Sequence, residues 1–264
     1  MWKIESFNFS LSDAKTVLHK VLLRWRLDGF AAVHYGFVLK NLDNNLEAAV
    51  MFLKQGIDSG AKGTEDGRFY FNLGDALMRL GRSSEADEIY RKGAAKKLFL
   101  SQYQRSLYNV ERLESRPFWT KKETGVDWYF NILEQNWQAI QKEALSILNK
   151  DGQFVDEAEN LRDTGNWKQY ELFARGRKVA KHCEKAPITC KIIDTFPVAR
   201  FCTRGQVKFS VMHPGTHVWP HCGPTNCRIR AHLGLTVPPK TFIRVAKETR
   251  YIYFCNLLLL DNFF

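Results

Sequence analysis

The residues with the most chemical capacity in this chain lie between His213 and Leu235. This stretch holds His213, His217, His221 and His232, four of the seven histidines, together with Arg228, Arg230 and three glycines. His213, His217 and His221 are four apart, a spacing that puts side chains on one face of a helix and would suit zinc. The intervening Pro214-Gly215 and Pro220 break a helix, and the His-Glu-x-x-His pattern of zinc proteases is absent. The three histidines are therefore expected on strands and turns, where this spacing does not make a zinc site.

Read on strands, His221-Cys222-Gly223 has a different meaning. Many iron(II) oxygenases place His-x-Asp/Glu at the end of one strand and a second histidine on a later one, leaving positions open for cosubstrate and oxygen. Here Gly223 stands where the carboxylate would be, which leaves a coordination position vacant or water-filled. Arg230 and His232, two apart on an expected strand, point to the same face. A guanidinium there can fork onto a carboxylate with two hydrogen bonds. Taken alone, the blander readings stand beside these: Trp167 as core, Arg230 as a surface ion pair.

The run from His213 to Leu235 closely resembles the aspartyl/asparaginyl β-hydroxylase family. The resemblance extends upstream through Gly205-Gln206-Val207-Lys208-Phe209-Ser210, Glu159-Asn160-Leu161-Arg162, Gly165-Asn166-Trp167 and the Cys183/Cys190 loop, and covers most of residues 117–250. It implies an α+β chain: a helical repeat domain of tetratricopeptide type, then a double-stranded β-helix of the jelly-roll or cupin kind. It also implies Fe(II), 2-oxoglutarate and O2 as cofactor and cosubstrates, and β-hydroxylation of Asp or Asn in epidermal-growth-factor-like domains as the reaction. By the resemblance His221 is an iron ligand, in a family that uses two histidines and no carboxylate. Arg230 and His232 hold the 2-oxoglutarate carboxylate next to the iron, and Ser210 reaches the far one. Glu159, Leu161 and Trp167 line the peptide groove, and Cys183 and Cys190 form a disulfide near it. The family's membrane-anchored members work in the endoplasmic reticulum, so that compartment is expected here.

The sequence also departs from the family's pattern. The family's second iron histidine comes from a later Phe-x-His strand, followed by an arginine for the far carboxylate. No histidine follows His232 here, and Arg244 and Arg250 come too early. Residues 251–264 do not resemble the family at this reading. They are expected to be a divergent tail on a truncated oxygenase domain, with unpaired sheet edges and little or no activity. The alternative is a non-catalytic interaction protein that uses its helical repeats.

The elements that must position these residues fall in two halves. Residues 1–116 read as helical, with no proline before Pro117 and apolar residues at helical spacing. Tyr35-Gly36, Ala48 and Phe52 recur at matching offsets as Leu73-Gly74, Ala86 and Tyr90, the tetratricopeptide arrangement of a glycine, a small residue and an aromatic. In that arrangement Gly74 admits the partner helix, Ala86 sits at the crossing and Tyr90 fills the gap to the next repeat. Val126 to Lys150 is expected as one amphipathic helix. Beyond Asp151-Gly152 the prolines cluster, and the runs 206–212, 228–237 and 241–246 read as antiparallel strands. The domains are drawn as 1–116, 117–250 and the tail 251–264.

Composition sets outer bounds. Hydrophobic residues make up 45% and charged residues 25% of the 264, enough for a sizeable core. Formal net charge is +11 without a long Lys/Arg run, and no nucleic-acid motif accompanies it, so no nucleic-acid partner is expected. The charge suits acidic protein substrates or a small anion. No signal peptide or apolar run long enough for a membrane span is read. Cys183 and Cys190 flank a short loop and could pair in an oxidising compartment or remain thiols.

Overall fold

A computed structural model describes residues 10–157, 159–253, 255 and 257–261. It separates into two compact units that divide at Leu107/Tyr108, somewhat ahead of the 116/117 boundary drawn from sequence. The first is all helical: α1 (Leu11–Arg24), α2 (Gly29–Leu42), α3 (Leu46–Asp58), α4 (Gly67–Arg79) and α5 (Ser83–Ala95). The helices stop at Ala95, and turns and irregular chain follow where the sequence pattern extended helix to 116. Side chains that satisfy free backbone amides set the helix starts. Asp28 accepts from Ala31 N at 2.9 Å and Asn45 from Ala48 N at 3.2 Å. Ser10 and Asp13 form a reciprocal capping box.

Close approach within the helix pairs explains the glycine and alanine spacing. A Cβ on Gly36 would lie 2.7 Å from the backbone nitrogen of Leu53, and one on Gly74 would lie 2.1 Å from Cε1 of Tyr90. Ala86 is fully buried. Tyr90 therefore seats its ring on Gly74 within its own hairpin, α4 against α5. Arg105 covers another part of that ring, its guanidinium carbon 4.1 Å from the ring centroid.

The second unit mixes helix with antiparallel sheet, an α+β arrangement. In order it contains β1 (Phe118–Trp119), α6 (Asp127–Gln135), α7 (Trp137–Leu148), β2 (Val155–Asp156), β3 (Arg162–Thr164), β4 (Trp167–Ala174) and β5 (Arg177–Lys178). Then come α8 (Ala180–Cys183), α9 (Pro187–Asp194), α10 (Pro197–Arg200), β6 (Gln206–Met212), β7 (His217–Val218), β8 (Ile229–Leu233), β9 (Phe242–Val245), β10 (Glu248–Tyr251) and β11 (Leu257–Asp261). The single helix expected over 126–150 is two helices. Asn136 breaks it: its side-chain amide donates to Ile132 O at 2.8 Å, and its backbone leaves helical geometry.

Strand β4 is the hub, paired with β2, β5 and β6. Its long partner is β6, with Tyr170 opposite Phe209 and Gln169 opposite Ser210. The Tyr170/Phe209 face packs with Ile140, Ala144 and Ile147 of α7 and Cys190 and Ile193 of α9. The buried Glu143 ties these two helices together: its carboxylate accepts from Ile188 N (2.7 Å), Thr189 N (2.9 Å) and Thr189 Oγ1 (2.6 Å) at the start of α9. Cys183 and Cys190 are joined by a disulfide, with Cα atoms 5.7 Å apart.

The C-terminal segment differs most from the sequence reading. Residues 257–261 are the middle strand of a three-stranded sheet, β1-β11-β8. Leu258 lies opposite His232 and Leu260 opposite Arg230. Leu259 and Leu260 are buried, so the run of leucines covers an edge of β8 that was expected to be bare. Among the described residues no helix is long and apolar enough to cross a membrane.

The Gly74–Tyr90 contact is directly testable. Gly74→Ala should destabilise the helical unit by about 1–3 kcal/mol, the usual cost of overpacking, read by chemical denaturation. Adding Tyr90→Leu should recover part of that loss.

Candidate functional site

The second face of the β4–β6 ribbon is polar. Side chains alternate along β6, so Lys208, Ser210 and Met212 oppose the face that carries Phe209. Across the pair, Gln169 and Trp167 of β4 share their side. The Trp167 indole N–H donates to Ser210 Oγ at 2.9 Å. The Lys208 ammonium donates to Gln169 Oε1 at 2.5 Å and lies 3.9 Å from a carboxylate oxygen of Glu157. The Lys208 and Glu157 side chains are 15% and 2% exposed, so this ion pair is shielded from water.

Arg230 and His232, two apart on β8, share a face, and Lys208 lies within electrostatic reach of both. Burial lowers the pKa of Lys208, against the carboxylates of Glu157 and Glu159, while the Arg230 charge lowers it further. Burial likewise lowers that of Arg230; Arg228 adds to the effect and Glu159 and Glu157 oppose it. The His232 residue keeps some solvent contact, but its ring is sunk among cations. Burial first, then Arg230 and Lys208, push its pKa from 6.5 down to about 4. At neutral pH the cluster is two cations and a neutral imidazole, with Glu157 and Glu159 at its side. Glu171, opposite Lys208, adds a third carboxylate; a further negative charge would relieve only the repulsion between the cations that these carboxylates do not already offset.

The other sequence-predicted residues sit at the ribbon formed by β3 and β7. Trp219 N donates to Leu161 O at 2.9 Å. His221 Nδ1 is 2.8 Å from Trp219 O, so Nδ1 carries the proton and the lone pair is on Nε2, the arrangement a metal-binding imidazole needs. His217 pairs instead with Asp163 at 3.0 Å, and His213 is exposed beyond the end of β6. Thus Ser210 and Trp167 are hydrogen-bonded, Arg230 and His232 share a face with the charge of Glu159 nearby, and Leu161 and His221 are linked through Trp219.

Iron fits this arrangement only in part. His221 presents a suitable nitrogen, but no three His, Cys, Asp or Glu side chains converge to hold a metal among the described residues. These residues do not complete an iron site. They suit a dicarboxylate better, since Arg230, Lys208 and Ser210 offer charged and hydroxyl donors in one region.

Sequence reasoning missed Lys208, Gln169 and Glu157. Lys208 was legible in principle, because it stands two residues before Ser210 on a strand and must share its face. Gln169 and Glu157 were not legible, since they reach the site through cross-strand register.

The fold class and the site thus define an α+β protein in which Lys208 of β6 and Arg230 and His232 of β8, on two different antiparallel sheets, are grouped with Glu157 and Glu159. Comparison with known proteins gives its kinship. The aspartyl/asparaginyl beta-hydroxylase family profile matches residues 134–264. That match includes residues 251–264 and corrects the reading of them as foreign to the family. The human aspartyl/asparaginyl beta-hydroxylase is 48% identical over 254 residues, covering 96% of this chain and 33% of the human protein. The mouse protein of that name is also 48% identical, with 34% of its length covered. Mouse aspartate beta-hydroxylase domain-containing protein 2 is 29% identical over 163 residues. The chain belongs to the aspartyl/asparaginyl β-hydroxylase family, a family of hydroxylases. It spans about a third of the length of the human and mouse relatives.

His232 gives a pH signature. Its folded pKa is below the unfolded value, so the unfolded state takes up the proton first and stability falls as pH drops from 6.5 towards about 4. The loss attributable to this group is roughly 3 kcal/mol at most and levels off below pH 4. Denaturation of wild type against His232→Gln between pH 7 and 4 should show the slope reduced in the variant.

Proposed function

We propose that the chain carries the 2-oxoglutarate-binding wall of an iron(II)- and O2-dependent oxygenase that hydroxylates the β-carbon of Asp or Asn in epidermal-growth-factor-like domains. The observation that supports this reading is the grouping of Lys208, Arg230 and His232 within one another's electrostatic reach, with Ser210 two residues along β6 from Lys208. The names of the human and mouse relatives support the reaction class. In this reading Arg230 forks onto the carboxylate nearer the metal and His232 hydrogen-bonds to it, while Ser210 reaches the far carboxylate. The Trp167 indole fixes the Ser210 hydroxyl by occupying one of its acceptor positions. An anion beside His232 offsets the repulsion from Arg230 and Lys208, so its pKa rises on binding. When bound, the cosubstrate supplies the reducing equivalents for placing one oxygen atom in a substrate C–H bond.

His221 would offer Nε2 to iron. Because the described residues do not complete that ligand set, no step is derived through the metal. Glu159, Leu161 and Trp167 would flank the peptide, with the Cys183–Cys190 loop nearby. That disulfide supports an oxidising compartment, in keeping with the endoplasmic reticulum. The two sheets around β4 and β11 would be the halves of a double-stranded β-helix. The α2/α3 and α4/α5 hairpins would be tetratricopeptide-type repeats, supported by the glycine contacts at Gly36 and Gly74.

Calorimetry with 2-oxoglutarate at pH 7 tests the wall. The 264-residue chain should bind it, and Arg230→Met should weaken binding at least about tenfold, the loss of charged hydrogen bonds. Equal binding by the variant would remove the basis of the proposal. Peptide turnover tests the iron reading. With His221 as the one iron histidine assigned in this sequence, an EGF-like peptide given to this chain with Fe(II), O2 and 2-oxoglutarate should stay unmodified, and a clear gain of one oxygen in mass would contradict that.

A further inference from the structure

The chain's positive excess is not evenly spread in the fold. Residues 175–204 hold eight Lys/Arg against two Asp/Glu, and the structure gathers part of this at one end of the β4–β6 ribbon. The β4–β5 turn is Arg175-Gly176, Arg177 opens β5, and Arg175 N donates to Gly205 O at 2.9 Å. A Cβ on Gly176 would lie 3.3 Å from the backbone of Phe201 and 3.4 Å from Arg200 O, so the turn lies against the 200–205 loop. The Arg228 guanidinium donates to Arg204 O at 2.5 Å, which brings a further cation to the same loop.

One carboxylate, Asp194, is paired within this group. It accepts from Lys178 at 2.6 Å and from Arg200 at 3.0 Å. Arg175, Arg177 and Arg204 are exposed, and none of them takes part in an ion pair among the described residues. The Arg228 Nε is buried with no hydrogen-bond partner among the described residues. Phe201, 62% exposed, lies beside them with the Arg200 guanidinium over its ring at 4.5 Å.

We propose that this arginine rim is a docking surface for an acidic stretch of polypeptide. Three features favour a peptide over another anion. Most of the cations are arginines, whose planar forks match carboxylates in pairs. Phe201 offers apolar contact at the centre of the charge, where an alternating acidic and apolar chain can use both. The rim also includes β5, the terminal strand of the path β2-β4-β5, whose backbone can extend hydrogen bonding to an added strand. A lipid surface could use the charge and the ring but not the strand edge. Arg228 lies near both this rim and Arg230, but the exposed Arg175, Arg177 and Arg204 are not among the groups assigned to 2-oxoglutarate, so the rim stands whether or not that reading does.

Fluorescence anisotropy with a labelled peptide of alternating glutamate and leucine tests the proposal on the full 264-residue chain, with the glutamine-for-glutamate peptide as comparison. The acidic peptide should bind, and the combined variant Arg175→Asn, Arg177→Gln, Arg204→Gln should weaken it at least tenfold. Asn keeps the left-handed backbone that Arg175 adopts at φ 51°, and matching circular dichroism and thermal melting would show that the variant folds. Saturating 2-oxoglutarate should leave peptide affinity unchanged. Undiminished binding by the folded variant, equal binding of the glutamine peptide, or competition by 2-oxoglutarate would each overturn the proposal. So would binding to vesicles of phosphatidylserine and phosphatidylcholine with none to the peptide.

Discussion

The register of β4 against β6 is the constraint on which the rest of the second unit depends. With Tyr170 opposite Phe209, one face of the ribbon is the apolar floor for α7 and α9. With Gln169 opposite Ser210, the other face presents Trp167, Gln169, Lys208 and Ser210. A slip of one residue would exchange the two sets, burying Lys208 in the helix-covered core and turning Phe209 out. No such state competes, because an unpaired lysine in an apolar core is too costly. The same apolar pressure that folds the domain therefore builds the polar wall, with no separate mechanism needed to place it.

The wall is held under electrostatic tension. Lys208 and Arg230 are both partly desolvated, the Arg230 charge lowers the affinity of Lys208 for its proton, and both cations hold His232 neutral. Glu157 and Glu159 relieve part of this. Burial of like charges is unfavourable in itself, and on the proposed reading a bound dicarboxylate would offset part of that cost. Behind the ribbon, Glu143 fixes α7 to α9 and the Cys183–Cys190 disulfide joins α8 to α9.

Much of this was legible in the sequence. Prolines and glycines removed the zinc-helix reading of His213, His217 and His221, and period-two spacing put Arg230 and His232 on one face. The strand over 206–212 was visible from its β-type pattern and its flanking loops. The Gly–Ala–aromatic offsets pointed to the helix pairs. Other features had no local signal. Asn136 interrupts a helix whose apolar period runs through it unbroken, because a side-chain amide competes for Ile132 O. Leu257–Asp261 reads as a greasy tail, and only its partners on either side, Phe118–Trp119 and Ile229–Leu233, make it a central strand. Gln169 and Glu157 enter the wall through pairings between segments far apart in the chain.

The central claim is that a dicarboxylate sits between β6 and β8 and is felt by His232. Its most direct test is a 2-oxoglutarate titration of histidine- and tryptophan-labelled protein followed by NMR. The account predicts that the His232 imidazole and the Trp167 indole N–H move together and saturably, with the His232 pKa rising from about 4 as the ligand binds. Saturable binding that leaves both signals unmoved, or no binding at all, would contradict it.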